Sequence, residues 1–74
     1  MILIGLDPGL QTTGWGVIEA QGNRLRHIAN GTVKSRATDP LADRLLALHD
    51  GLMAVLAAHA PDGAAVEEVF VNTN

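Results

Sequence analysis

The chain has no cysteine, three histidines and only five lysines and arginines in 74 residues. Without cysteine there is no disulfide scaffold and no zinc site of the cysteine type, and the chain fits a reducing compartment. His27, His49 and His59 lie far apart and in different predicted elements, so they do not read as a metal site. Long apolar runs are missing as well: each is broken by Asp, Gly or His well short of the roughly 20 residues that a membrane span needs. No basic-then-apolar leader opens the sequence, and the expected location is the cytoplasm, with no membrane partner. Nucleophile chemistry has little to draw on, since the only serine is Ser35, at the end of a predicted strand. A chain this short holds at most one domain and buries about 60% of the surface its unfolded form exposes, so its core is thin.

Positive charge is scarce but not scattered. The formal net charge of -3 argues against a dedicated nucleic-acid binder, whose domains are usually basic. Yet Arg24, Arg26, Lys34 and Arg36 all fall between residues 24 and 36, with Asp39, Asp43 and Asp50 following directly. A local basic strip can meet phosphates even when the rest of the surface is acidic, although a solvated hairpin face is the commoner reason for such a cluster.

Residues 2 to 7, Ile-Leu-Ile-Gly-Leu-Asp, are a continuous apolar run suited to a strand covered on both faces, and Pro8-Gly9 breaks it. Residues 14 to 20 predict a second strand, and the turn at Gln21-Gly22-Asn23 leads to a third over about 24 to 34, a hairpin signal. Asp39 reads as an N-cap with Pro40 at the first helical position. Leu41, Leu45, Leu48, Leu52, Val55 and His59 then recur at helical spacing, with Asp43 and Asp50 on the far side. Gly51 weakens this helix slightly. Pro61-Asp62-Gly63 ends it, and "AAVEEVFV", 64 to 71, predicts a fourth strand. The order strand, strand, strand, helix, strand makes the chain α/β. With a meander followed by a helical crossover, strand four runs parallel to strand one.

Chemistry concentrates in "ILIGLDPGLQTTGWGV", residues 2 to 17, where Asp7 ends an apolar run amid Gly5, Gly9, Gly14 and Gly16. If strand four lies beside strand one, about 4.8 Å away, Asp7 comes within reach of the glutamates of "VEEV". Side chains alternate along a strand, so only one of Glu67 and Glu68 shares its face. A carboxylate in an apolar strand is costly unless paired or bound to a cation, and no lysine or arginine stands nearby in the sequence. With Mg²⁺ or Mn²⁺, which prefer hard oxygen ligands, such a pair becomes a binding site. The structural alternative has Asp7 capping a turn through Gly9 and the amides after it, with Glu67 at an exposed edge. The glycines fit neither the Walker pattern, for want of Gly-Lys-Ser or Gly-Lys-Thr, nor the dinucleotide pattern, because a strand follows. They permit either a close approach by a phosphate backbone or merely a tight turn. Thr12 and Thr13 are able to donate to a phosphate, or are ordinary turn residues. Trp15 reads as core or rim packing. Phe70 has a sharper alternative, stacking on an unpaired base.

"IGLDPGLQTTGWGVI", with "VEEVF" some fifty residues later, closely resembles the amino-terminal half of the RuvC family of Holliday-junction resolvases. The match runs from Ile2 to about Asn74. The resemblance implies a ribonuclease H-like mixed sheet, with residues 1–74 the amino-terminal part of a single nuclease domain. It implies that Asp7 and Glu67 are the metal-binding catalytic carboxylates, with Glu68 facing away, and a two-metal hydrolysis of a DNA phosphodiester using Mg²⁺ or Mn²⁺. Phe70 matches an aromatic set against bases near the crossover. The implied partners are four-way junction DNA, a second copy in a homodimer and branch-migration motor proteins. Family members are roughly twice this long, and two further acidic residues near their carboxyl end complete the metal site. These 74 residues are therefore expected to bind metal weakly, to cut DNA poorly or not at all, and to leave one sheet face in search of a partner. Two rivals remain. An actin-like ATPase or sugar-kinase lobe would use the Asp7 loop for phosphates of ATP without need of Glu67. A non-catalytic junction-binding module would rest on the basic strip.

Overall fold

The computed structural model describes residues 1–67, which form β1 (Ile2–Asp7), β2 (Thr12–Gln21), β3 (Arg24–Lys34), α1 (Leu41–His59) and β4 (Gly63–Val66). This is the expected order of elements. The strands make one mixed sheet in the order β3-β2-β1-β4, with β1 antiparallel to β2 and parallel to β4. Gly22, at φ 58°, turns the β2–β3 hairpin in the left-handed region that glycine enters without steric cost. The crossover through α1 then brings β4 back alongside β1.

Several boundaries differ from the sequence expectation. β2 begins at Thr12 rather than at residue 14, because β3 is long enough to pair Lys34 with Thr12 and Val33 with Thr13. Both threonines are thus strand residues, not turn residues. Asp39 does not cap the helix: Pro40 is the cap residue, with ψ 151°, and no side chain bonds to the first turn. Asp39 instead closes a turn, its N–H donating to Arg36 O at 3.0 Å. At the other end Ala60 adopts the left-handed conformation (φ 46°, ψ 57°) and its N–H returns to Leu56 O at 2.8 Å, a helix stop that Pro61 enforces. The predicted fourth strand begins at Gly63, and its part from residue 68 onward, with Glu68 and Phe70, lies outside the described residues.

The helix covers one face of the sheet. That face carries Ile4 and Val17, which are directly opposed in register and buried to 1% and 0% exposure, and Leu48 is the buried residue of α1. Trp15 lies on the same face, its ring 5.4 Å from that of His59. Because α1 rests mainly against β3, its apolar stripe is only partly used. Leu41 and Leu45, predicted to be core, are more than half exposed, and Leu45 borders a groove of about 360 Å³ with Leu6, Leu10 and Val66. The opposite face bears Gly5, Gly14 and Gly16 and is not covered by the helix, as the count of one helix for four strands predicts.

Candidate metal and nucleic-acid site

Asp7 is the last residue of β1 and stands on the uncovered face. Beside it, β4 pairs Leu6 with Val66, and the Glu67 N–H donates to Leu6 O at 3.0 Å. Asp7 and Glu67 are therefore the next pair in a parallel register, in which neighbours share a face about 4.8 Å apart. Of the two consecutive glutamates, it is Glu67 that the register aligns with Asp7. Both carboxylates are exposed. The ion pairs among the described residues, Arg26–Glu19 and His49–Asp50, involve neither of them.

The register has its own clamp. The Asp62 carboxylate accepts the Ile2 N–H at 2.8 Å, and the Asp62 N–H donates to Ile2 O at 2.7 Å. Asp62 thereby pins the start of β4 to the start of β1, and the strands stay in step as far as Asp7 and Glu67.

The capping alternative for Asp7 is not what the loop shows. The Gly9 N–H goes to Thr13 Oγ1 at 3.2 Å, and the Thr13 hydroxyl donates to Gly9 O at 3.0 Å. A neighbouring hydroxyl closes the turn and leaves the Asp7 carboxylate available. Thr13, only 3% exposed, spends its hydroxyl on that turn.

The basic strip is also not one patch. Arg24, Arg26 and Lys34 have even spacing, so plain alternation would put them on one face. A bulge between Val17 and Ile18 leaves Ile28 without a partner, and a one-residue slip exchanges faces. Arg24 and Arg26 pair with Gln21 and Glu19 on the helix side, at the far end of an 11-residue strand roughly 33 Å long. Arg26 is there engaged with Glu19 at 3.2 Å. Lys34 pairs with Thr12 on the Asp7 face and at the Asp7 end, and Arg36 follows two residues on.

The same bulge brings Asn30 opposite Gly16, into a trough of about 670 Å³ floored by Gly5, Gly14 and Gly16 and edged by Asp7 and Glu67. Sequence reasoning missed Asn30, because counting outward from the hairpin turn assigns it to the other face. The glycines of the floor were in view in the sequence around Asp7, but their pairing, Gly5 with Gly16 and Asp7 with Gly14, comes from the register. Among the described residues no group of three or more His, Cys, Asp or Glu comes together. The site offers two exposed hard oxygen donors on adjacent backbones. That donor type suits Mg²⁺ or Mn²⁺, with water or phosphate completing the coordination shell.

A family profile described as Crossover junction endodeoxyribonuclease RuvC matches residues 3–74. A protein of that name from Paramagnetospirillum magneticum is 60% identical over 74 residues, covering 100% of this chain and 45% of its own. Another, from Azorhizobium caulinodans, is 64% identical over 72 residues, covering 97% and 43%. The chain thus spans somewhat less than half the length of these relatives. Among solved structures, T. thermophilus RuvC in complex with Holliday junction substrate superposes with a TM-score of 0.86 over 100% of this chain and 48% of that one, at 29% identity. The architecture held in common is the ribonuclease H-like mixed sheet.

Proposed function

Since the chain belongs to the RuvC family, we propose that residues 1–74 are the amino-terminal part of a single ribonuclease H-like nuclease domain, one that resolves four-way DNA junctions in recombination and repair. The observation that supports this most directly is the alignment of Asp7 with Glu67 on one face of adjacent parallel strands. Two carboxylates so close repel each other unless a cation lies between them. We assign them to Mg²⁺ or Mn²⁺. Bound there, such ions supply an activated water and stabilise the leaving oxygen of a phosphodiester.

The chain's own residues bind and orient the DNA. Lys34 and Thr12 share the face of the acidic pair and Arg36 follows in sequence, which supports a role for these three in meeting phosphates on the approach to it. Arg24, Arg26 and Thr13 drop out of that role. The assignment of Phe70 to bases near the crossover rests on the family resemblance, as do the homodimer, the branch-migration motor partners and the cytoplasmic location. With two of the four carboxylates that the resemblance implies, these 74 residues hold metal weakly and cut little by themselves.

The test is a chimera that joins this chain to the remainder of the P. magneticum relative, assayed for Mg²⁺-dependent paired incision of synthetic four-way junctions. Asp7→Asn and Glu67→Gln should each abolish cutting while junction binding persists. A chimera that folds and binds junctions but does not cut overturns the proposal, and cutting that survives Glu67→Gln removes the pair from the mechanism.

A further inference from the structure

Four backbone groups in the short loop after Asp7 are each held in place. Thr13 Oγ1 takes both the N–H and the carbonyl of Gly9. Ser35 Oγ donates to Leu10 O, and the Ser35 N–H donates to Gln11 O at 3.0 Å. The relay continues into the helix, where Arg44 Nε donates to Ser35 Oγ at 3.2 Å. The loop is tight enough that a Cβ at Gly9 would collide with the Thr12 carbonyl oxygen.

Thr13 and Ser35 are also the two buried polar residues among those described, at 3% and 8% exposure. Both are committed to a single loop at the surface. Such a loop needs no buried hydroxyls to fold, because water satisfies exposed carbonyls at little cost. What the arrangement does provide is rigidity immediately after Asp7, tied to β2, β3 and α1 together.

Resting on the reading of Asp7 and Glu67 as metal ligands, we propose that Thr13, Ser35 and Arg44 are positioning residues for Asp7. Their latch keeps the Asp7 carboxylate level with Glu67, so that one ion meets oxygens from both strands. Groups that orient a ligand in this way typically change metal affinity by about 10–100-fold when removed.

The experiment is a Mn²⁺ titration of the ¹⁵N-labelled chain, following paramagnetic broadening of the Asp7 and Glu67 amide signals. Thr13→Val keeps the side-chain shape without the hydroxyl, Ser35→Ala removes the bridge, and Ser35→Thr restores a hydroxyl. In the folded population of Thr13→Val and of Ser35→Ala, the Mn²⁺ concentration for half-broadening should rise about 10-fold, and Ser35→Thr should return it towards wild type. A purely structural role would lower the melting temperature and leave that concentration where it was, which overturns the inference while the metal reading stands. Wild-type protein without broadening at Asp7 overturns both. If Thr13→Val and Ser35→Ala do not fold, Arg44→Met, which leaves the Ser35 bonds to the loop in place, should still raise the half-broadening concentration; no change there overturns the inference equally.

Discussion

Replacing Gly51 by alanine tests whether helix and sheet meet as closely as the structure shows. On an open helix surface the change stabilises by about 1 kcal/mol, because alanine is the better helix former. At this position the new Cβ would lie 3.4 Å from Val33 Cβ, 3.2 Å from Val33 Cγ2 and closer still to Val33 Cγ1. Val33 is β-branched and stiff at χ1, so it has little freedom to swing its methyls aside. The strain therefore falls on the helix, which must lift from β3, and overpacking of this sort costs about 1–3 kcal/mol. Setting the propensity gain against that cost makes Gly51→Ala neutral to about 2 kcal/mol destabilising. In a chain of this size each kcal/mol lowers Tm by about 4–8 °C. Val33→Ala in the Gly51→Ala background should release the strain, giving a coupling energy of about 1–3 kcal/mol in the double-mutant cycle. Urea denaturation followed by circular dichroism measures all four proteins. A Gly51→Ala protein stabilised by the full 1 kcal/mol or so with Val33 intact, or a cycle that is simply additive, would refute the packing described.

Gly31→Ala should displace the indole of Trp15, since a Cβ there would come within 2.9 Å of Trp15 Cζ2; as the only tryptophan, Trp15 reports this as a shift in fluorescence emission, and an unchanged spectrum contradicts the contact. Ala60→Gly removes the cost of a left-handed alanine, about 1–2 kcal/mol, against roughly 0.4–1 kcal/mol of added unfolded-chain freedom, so a gain of about 0.5–1 kcal/mol in denaturation is expected and a loss would count against the αL stop. In the chimera, Lys34→Ala should reduce the slope of log affinity for junction DNA against log salt by about 1, whereas Arg24→Ala should leave it unchanged; equal slopes would undo the assignment of the two cations to opposite faces.

The sheet order and the acidic pair were legible because they follow from rules of connection. Two hairpin turns and one crossover leave β4 few places but the side of β1, and a period of two guarantees that one of two consecutive glutamates shares the face of Asp7. Spacing alone did not separate Glu67 from Glu68, and the choice came from the family resemblance; the register that aligns Glu67 with Asp7 depends on the Asp62 clamp on Ile2, and Asp62 reads in sequence as an ordinary turn residue. The bulge at Ile28 leaves no mark in composition, yet it decides which cations stand near Asp7. The Asp39 cap failed because the propensity of Asp for that position is local, and Asp39 found its hydrogen bond in the turn to Arg36 instead. The inward turn of Thr13 was hidden for a related reason: a hydroxyl beside a glycine-rich loop suits a phosphate and a backbone amide equally well.

Leaving aside the turn glycine Gly22, two groups of glycines differ in a way that bears on the uncovered face. Gly9, Gly31 and Gly51 answer to contacts within the described chain, where a side chain would strike Thr12, Trp15 or Val33. Gly5 and Gly16 answer to none: they face each other across β1 and β2, and nothing lies within 4 Å of the place a Cβ would take. Neither has a positive φ, so the backbone does not require glycine there either. A strand-interior glycine costs about 0.5–1 kcal/mol relative to alanine, which is a sizeable sacrifice for a thin core. Two such residues, set side by side on the face of Asp7 and Glu67, leave bare backbone where bulk would have been cheaper. Glycine inside a strand marks close approach by a ligand or another backbone. The DNA strand proposed above to reach the acidic pair would present such a backbone. With no side chain at Gly5 or Gly16, the uncovered face has room there for a group that lies flat on the strands, and offers little for side chains to interlock with.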